Sequence, residues 1–271
     1  FIYLNKSGLW MLSKKTKIIL GSMIGGIIAI SLLVMLLNHP LHSAAAKNDV
    51  NRVKLLLFLG FDIESEAEPF VKISMFMVGS TPLEWASISG AFDTAQLLVE
   101  RGANQIGKSG AIHLASSGGH LDIVKMFLDK GVDPNILSFE YKVGSGSVPL
   151  IRAIGPCREI ENQGIMELQK NRKEIIKMLL DRGANPNARQ GVTGEMQTRE
   201  EDGLTALHRA SYNGCFEIVE LLLEYGADPN LKSEGQTVME YIQSNEMIGA
   251  SNKAALRQTF DLYQKKKSMQ E

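Results

Sequence analysis

Apolar residues recur along most of this chain at spacings of three and four, in short runs that stop at glycine. The runs are Val53-Leu56-Leu57, Ala95-Leu97-Leu98, Ile123-Val124-Phe127-Leu128, Ile175-Ile176-Leu179-Leu180 and Ile218-Val219-Leu221-Leu222. That spacing places each set on one stripe of a helix. Gly60, Gly102, Gly131, Gly183 and Gly226 each follow a stripe. A glycine there allows the left-handed backbone that ends a helix. A shorter helix is predicted before each of these. In the second copy Thr81 is the N-cap candidate, Pro82 suits the first turn, and Leu83, Ala86 and Ser87 share one face. Gly90, Gly118-Gly119 and Asn213-Gly214 separate the short helix from the long one.

The wording recurs as well as the pattern. Leu-Leu-Asp-Arg-Gly-Ala-Asn-Pro-Asn at 179–187 returns as Leu-Leu-Glu-Tyr-Gly-Ala-Asp-Pro-Asn at 222–230 and as Phe-Leu-Asp-Lys-Gly-Val-Asp-Pro-Asn at 127–135. Weaker copies stand at 97–104 and 56–62. Thr81-Pro82-Leu83-Glu84-Trp85-Ala86 has counterparts in Thr205–Ala210, Pro40–Ala45, Ala111–Ala115 and Pro149–Ala153. Helix, tight turn, helix and extended turn make a repeat architecture. On the joint recurrence of these two phrases the chain resembles the ankyrin-repeat family, of a membrane-anchored bacterial type. The resemblance covers most of the chain after residue 40. It implies an all-α solenoid of about five to six repeats; one N-terminal transmembrane helix before it is expected from residues 18–37.

The repeats are expected at about 40–64, 76–105, 106–135, 143–188, 200–231 and 232–265. The last is degenerate: 237–242 keeps the first helix, and Ala254, Ala255, Leu256 and Phe260 supply the second. A polar C-terminal cap ending in Lys265-Lys266-Lys267 follows, with a tail at 266–271. Extra residues at 65–75, 137–145 and 189–199 lengthen the turn-side fingers. Pro156 to Arg172 splits the fourth repeat, as a polar excursion or as an extended second helix.

Residues 18–37, Ile-Ile-Leu-Gly-Ser-Met-Ile-Gly-Gly-Ile-Ile-Ala-Ile-Ser-Leu-Leu-Val-Met-Leu-Leu, contain no charge. About twenty such residues span a bilayer as a helix. Lys14, Lys15 and Lys17 close the basic segment 1–17 before it. The pair Gly21 and Gly25 can support helix pairing, but ordinary lipid-facing sequence explains it as well. Ala44-Ala45-Ala46 looks like a signal cleavage site, yet the apolar run exceeds a typical signal core and these alanines already belong to the first repeat. The expectation is an uncleaved, single-pass anchor. The basic cluster predicts a cytoplasmic N-terminus, with the repeats on the extracytoplasmic side.

Composition narrows the chemistry. A net charge of −1 over 271 residues gives no broad field for nucleic acid. No zinc-ligand spacing, phosphate-cradling loop or nucleophile elbow is present. Glu159, Glu161, Glu167 and Arg158 in the insertion lack a spacing that forces a reaction. No cofactor, metal, catalytic residue or small-molecule substrate is therefore expected. His42, His113 and His208 share one repeat slot, where the resemblance implies a bond across the turn between repeats. Glu84, Ile151 and Glu240 fill that slot elsewhere and predict looser turns. His120, in the inter-helix break, has the same structural reading. Cys157 and Cys215 fall on adjacent repeats at similar height. Repeats stand about 10 Å apart, and a disulfide needs Cα atoms within about 7 Å, so two free thiols are expected.

Helical geometry also places a groove. With Leu83, Ala86 and Ser87 buried, Trp85 points nearly opposite. The same register puts Ser43, Leu114, Arg152, Arg209 and Tyr241 in line with it, flanked by Ile88, Ser117 and Tyr212. Trp, Tyr and Arg dominate binding hot spots. Phe76 (in the run 70–77), Phe139 and Tyr141 add apolar residues on the fingers, either as local packing or as exposed contacts. The resemblance implies that groove and fingers bind a protein partner. The expected function is a non-catalytic, membrane-tethered interaction scaffold. The alternative is a secreted or translocated effector that acts on host-cell proteins after signal removal.

Overall fold

The computed structural model describes residues 40–67, 79–104, 110–138, 146–157, 163–190, 203–246 and 248–269. Leu41–Glu271 form one compact unit; of the unit Phe1–Pro40 only Pro40 is described. The apolar run 18–37 lies outside the described residues. Among those described, no helix is long and apolar enough to cross a membrane.

Helices come in pairs, a short one and a longer one. The first pair is α1 (Pro40–Ala46) and α2 (Val50–Phe58). Next are α3 (Pro82–Ser89) with α4 (Phe92–Glu100), and α5 (Ala111–Gly118) with α6 (Leu121–Asp129). The fourth pair is α7 (Pro149–Ala153) and α8 (Gln163–Asp181), and the fifth is α9 (Ala206–Tyr212) and α10 (Phe216–Glu224). The last is α11 (Val238–Ser244) and α12 (Ala250–Ser268). Short helices stack on short ones, α3 on α5 on α7 and α9 on α11. Long ones stack on long ones, α4 on α6 on α8 and α10 on α12.

The stack holds because each helix has an apolar stripe that its own hairpin cannot cover. Val53, Ala86, Leu98, Ile123, Phe127, Leu150, Ile175, Leu179, Val219 and Leu222 are all fully buried in one continuous core. Alanine and serine on the short helices let backbones approach. Ser87 and Ser116 donate to the carbonyls of Leu83 and Ile112 four residues back, which satisfies their buried hydroxyls. The five glycines after the long helices share φ values of 85–89°. An L side chain is strained there, which accounts for the repeated residue.

The Asp-Pro-Asn phrase has two separate jobs. Its first residue makes a local Asx turn: Asp133, Asn185 and Asp228 Oδ1 accept from the backbone N–H two residues on. Its last residue reaches the next repeat. Asn135 donates to the Gly183 carbonyl at 2.9 Å and accepts from the Asn185 N–H at 2.7 Å. Asn187 repeats both bonds with Gly226 and Asp228. In the first repeat Glu64 takes the accepting part, from the Asn104 N–H.

Four expectations change or are resolved. The insertion in the fourth repeat is an extended second helix from Gln163 onward, 19 residues long. Glu167 is exposed on that helix, and residues 158–162 lie outside the described residues. The final helix runs on to Ser268, so Lys265–Lys267 occupy its exposed last turn instead of a tail. Three cations there complement the helix dipole. Leu256 and Phe260 are the buried stripe of that helix, and apart from Leu262 its exposed side is largely polar, as suits a terminal cap. Finally, the chain is not wholly helical. Lys232–Ser233 (β1) pairs antiparallel with Gln236–Thr237 (β2), and single bridges join Ser138 to Ser147 and Arg189 to Thr205. These are the bases of the turn-side fingers.

Cys157 and Cys215 form a disulfide, with Cα atoms 5.1 Å apart, which corrects the expectation of two free thiols. The helix-to-helix distance was the wrong measure. The short helix α7 ends at Ala153, and residues 154–157 run on as extended chain toward the next repeat. The Cys157 N–H donates to the Asn213 carbonyl, and the Asn213 side chain donates to the Gly155 carbonyl at 3.2 Å. Cys157 is thereby carried to the N-cap of α10, where Cys215 sits.

Candidate protein-binding groove

The slot that holds histidine in three repeats is occupied as the sequence implied. His42 Nε2 lies 3.0 Å from the Ser80 carbonyl, His113 Nε2 2.9 Å from that of Ile136, and His208 Nε2 3.2 Å from that of Gln236. Each carbonyl belongs to the turn that leads into the following repeat. His120 Nε2 bonds to the Ile88 carbonyl one repeat back, at 3.0 Å. Where glutamate replaces histidine, the side chain turns back on its own helix. Glu84 accepts from the Thr81 N–H, and Glu240 accepts from the Thr237 N–H, each closing a capping box. Each of these bonds ties the start of its own helix.

One position beyond that slot lies the predicted groove row. Trp85, Leu114, Arg152, Arg209 and Tyr241 are all partly exposed, and so is Ser43. Leu83, Ala86, Ala115, Ala153, Leu207 and Ala210 around them are buried. Ile88 and Ser117 are partly exposed, and Tyr212 is open to solvent. Phe76, Phe139 and Tyr141 lie outside the described residues.

The row is not a set of isolated side chains. Each member leans on the histidine of the preceding repeat where one exists. Trp85 meets His42 edge-on at 5.8 Å between ring centres, and Tyr241 meets His208 at 5.7 Å. Tyr212 extends the second pair, 6.4 Å from Tyr241. Edge-to-face contact at this range is favourable for aromatic rings. Trp85 therefore presents a flat apolar face backed by a buried ring. Its Nε1–H is enclosed without an acceptor among the described residues.

Arg152 takes the corresponding place beside His113. Burial, with the Arg152 charge adding to it, holds the His113 imidazole at a pKa of about 4, against the backbone hydrogen bonds to Ile136, Ser147 and Gly110 that work in the opposite direction. His208 is lowered by burial too, and by the charge of Arg189, against its bond to Gln236. Both rings are thus neutral at pH 7 and act as fixed hydrogen-bonding spacers.

Arg209 has more to do than the sequence implied. Its Nε–H donates to the Ile154 carbonyl at 3.0 Å, and its Nη1 donates to Gln190 Oε1 at 2.7 Å. A cation at the end of α7 satisfies a helix-terminal carbonyl. Arg172 does the same for α5, with Nη2 2.8 Å from the Ser117 carbonyl. Burial lowers the pKa of both arginines, and for Arg209 the charges of Arg152 and Arg172 add to it. Three guanidinium groups therefore share one stretch of the groove. Arg172 was missed because it sits on a second helix, outside the groove register. The signal available was the lengthened fourth repeat: the extra turns of α8 carry Arg172 over Gly155, where a Cβ would fall 1.9 Å from Nη1.

The stacked helical hairpins set a partly exposed row of Trp, Leu, Arg and Tyr at one equivalent position of successive short helices. The family model for "Ankyrin repeats (3 copies)" matches residues 41–138 and 166–233, together more than half of the chain. The chain belongs to the ankyrin-repeat family. It is similar to a solved ankyrin repeat domain from Acinetobacter baumannii, with 25% identity and a TM-score of 0.56. That likeness covers 82% of this chain and 97% of the other. It is also 25% identical over 198 residues to the transient receptor potential cation channel subfamily A member 1 of Drosophila melanogaster. The match takes in 65% of this chain but spans only 16% of the channel protein. Ankyrin repeats imply a scaffold for protein–protein interaction, and proteins of this family are typically non-catalytic.

Proposed function

We propose that this chain is a membrane-tethered docking scaffold, with residues 18–37 as the anchor and the repeats on the extracytoplasmic side. The observation that carries the docking site is the register of the groove row. Trp85, Leu114, Arg152, Arg209 and Tyr241 come from successive short helices at one equivalent position, and all are accessible. Their chemistry fits a protein partner with an apolar ridge and an acidic segment, the latter opposite Arg152, Arg172 and Arg209. The Cys157–Cys215 disulfide supports the extracytoplasmic side, because disulfides persist chiefly in oxidising compartments. The basic cluster ahead of residue 18 supports the same orientation. Tethering raises the effective concentration of the groove at one membrane face, and a rigid stack loses little freedom on binding.

The test is crosslinking capture from intact membranes, followed by affinity measurement on the captured protein. Trp85→Ala removes the flat centre of the row and is expected to weaken capture about 30-fold, the effect of a hot spot worth about 2 kcal/mol. Helical content stays unchanged, because Trp85 is partly exposed and Glu84 still closes the capping box. Equal capture by wild type and variant removes the groove as the site. Protease added to sealed vesicles checks the side: digestion of the repeats from the cytoplasmic face alone reverses the orientation.

A further inference from the structure

The first repeat carries an apolar surface that no other repeat shows among the described residues. On α2, Val53 and Leu56 are buried against the stack, while Leu55 is 55% exposed, Phe58 86% and Leu59 61%. Phe61 in the following turn is 39% exposed. Residues 55, 58 and 59 lie at helical spacing on one face. Lack of a preceding repeat accounts for Leu55, since its counterparts Leu97 and Leu221 are buried. It does not account for Phe58 and Leu59. The residues at those two positions before the later glycines are Glu100-Arg101, Asp129-Lys130, Asp181-Arg182 and Glu224-Tyr225. That pair is charged or polar in each of the four later repeats, and exposed but for the partly buried Tyr225; in the first it is Phe-Leu.

We propose that Leu55, Phe58, Leu59 and Phe61 form a docking surface for the lipid interface of the membrane that anchors the chain. This rests on the tether proposed above. The apolar run ends at Leu37, and two residues separate it from Pro40, where α1 begins. A chain of that length reaches about 10 Å, which keeps the first hairpin within the interfacial zone of a spanning anchor. Arg52 and Lys54, within one turn of Leu55 and Phe58 on α2, are exposed. The neighbouring acids keep their charge while accepting from backbone N–H groups, Asp49 from that of Arg52, Asp62 from that of Glu64 and Glu64 from that of Asn104, so the rim carries both signs. The apolar face carries the assignment: exposed leucine and phenylalanine on one side of a surface helix bury into the boundary between headgroups and acyl chains. A weak intrinsic affinity suffices, because the anchor already supplies the local concentration. Docking would hold the first repeat against the bilayer and present Trp85, in the next repeat, near headgroup level.

The test uses the full chain in vesicles of phosphatidylethanolamine and phosphatidylglycerol, with lipids brominated along the acyl chain as fluorescence quenchers. Phe58→Trp places an indole in the patch, and Lys130→Trp places one at the adjacent position of the third repeat's outer turn. The parent chain corrects for Trp10 and Trp85. Bromolipid is expected to quench the Phe58→Trp indole several-fold more than the Lys130→Trp indole. Adding Leu55→Ser, Leu59→Ser and Phe61→Ser should abolish that difference, and all these positions are exposed enough to spare the fold. Equal quenching in protein that resists carbonate extraction overturns the docking surface and leaves the tether standing. Release of the parent chain by carbonate removes the tether, and the docking surface with it. An absence of quenching together with a crosslinked dimer through Phe58→Cys assigns the patch to a second copy and also overturns the proposal.

Discussion

Replacing Cys157 and Cys215 with alanine is expected to lower the unfolding free energy by up to about 4 kcal/mol and to uncouple the last two repeats from the rest. The bond closes a segment with a sequence separation of 58, and loop-closure entropy for a loop of that size gives about 4 kcal/mol. Its position matters more than its size. In a repeat stack each unit is held by its neighbours, so stability depends on every junction. The junction between the fourth and fifth repeats is the thin one. Helix α7 has five residues where α3 and α5 have eight, so it offers one turn less to α9. Contacts of α9 with α7 and of α10 with α8 are correspondingly sparse. What bridges the gap is polar and covalent: Arg209 to the Ile154 carbonyl, Asn213 to that of Gly155, and the disulfide. Urea unfolding followed by circular dichroism should change from one transition to two, the first belonging to residues after about 203. A single unshifted transition in the double variant would show that the polar contacts alone hold the junction. Treatment of the wild-type protein with a reductant should reproduce the two-step curve.

Acid is the second large lever. The His113 pKa is lowered from 6.5 to about 4 in the folded chain, first by burial. Between those values the unfolded chain binds the proton and the folded one resists it, so stability rises with pH across this window. The contribution is complete above about pH 6.5 and is lost as pH falls toward 4. A tenfold difference in proton affinity between the two states is worth about 1.4 kcal/mol, so about 3 kcal/mol disappears between pH 7 and pH 4. The pKa of His208 is lowered too and adds to the slope. His113→Gln keeps a donor for the Ile136 carbonyl but cannot titrate. Its stability, measured by urea titration at the two pH values, should fall by about 3 kcal/mol less than that of the wild type. Parallel losses in the two proteins would place the acid sensitivity elsewhere.

The two predictions concern residues that the sequence treated very differently. His113 was legible: one slot, three histidines, and a family whose turns need a bond there. The stack itself was legible for the same reason. Apolar stripes at helical spacing, glycines after each stripe and Asp-Pro-Asn turns are local requirements, and each is written again in every repeat. The groove register followed from the buried face of a single short helix, since 100° per residue fixes what lies opposite Trp85.

The disulfide was not legible, because it depends on where the chain goes after one helix stops. Gly155-Pro156 ends α7 locally, but nothing in Pro149–Cys157 says that the chain then crosses to the next repeat. Arg172 was hidden likewise: its place over Gly155 and Ser117 comes from the extra turns of α8. The doubling of Asn135 and Asn187 as links between repeats was invisible too, because the turn motif reads the same whether or not a neighbour lies beneath it.

Recurring local patterns alone determined the repeat architecture, the histidine slot and the line of the groove, because each is set by spacing within one hairpin. Only the tertiary structure decided that Cys157 meets Cys215, that Arg209 serves the end of α7 as well as the groove, and that Phe58 and Leu59 stand uncovered. Those outcomes depend on the packing of one repeat against the next, where a few residues more or less in a helix move a side chain by several ångströms.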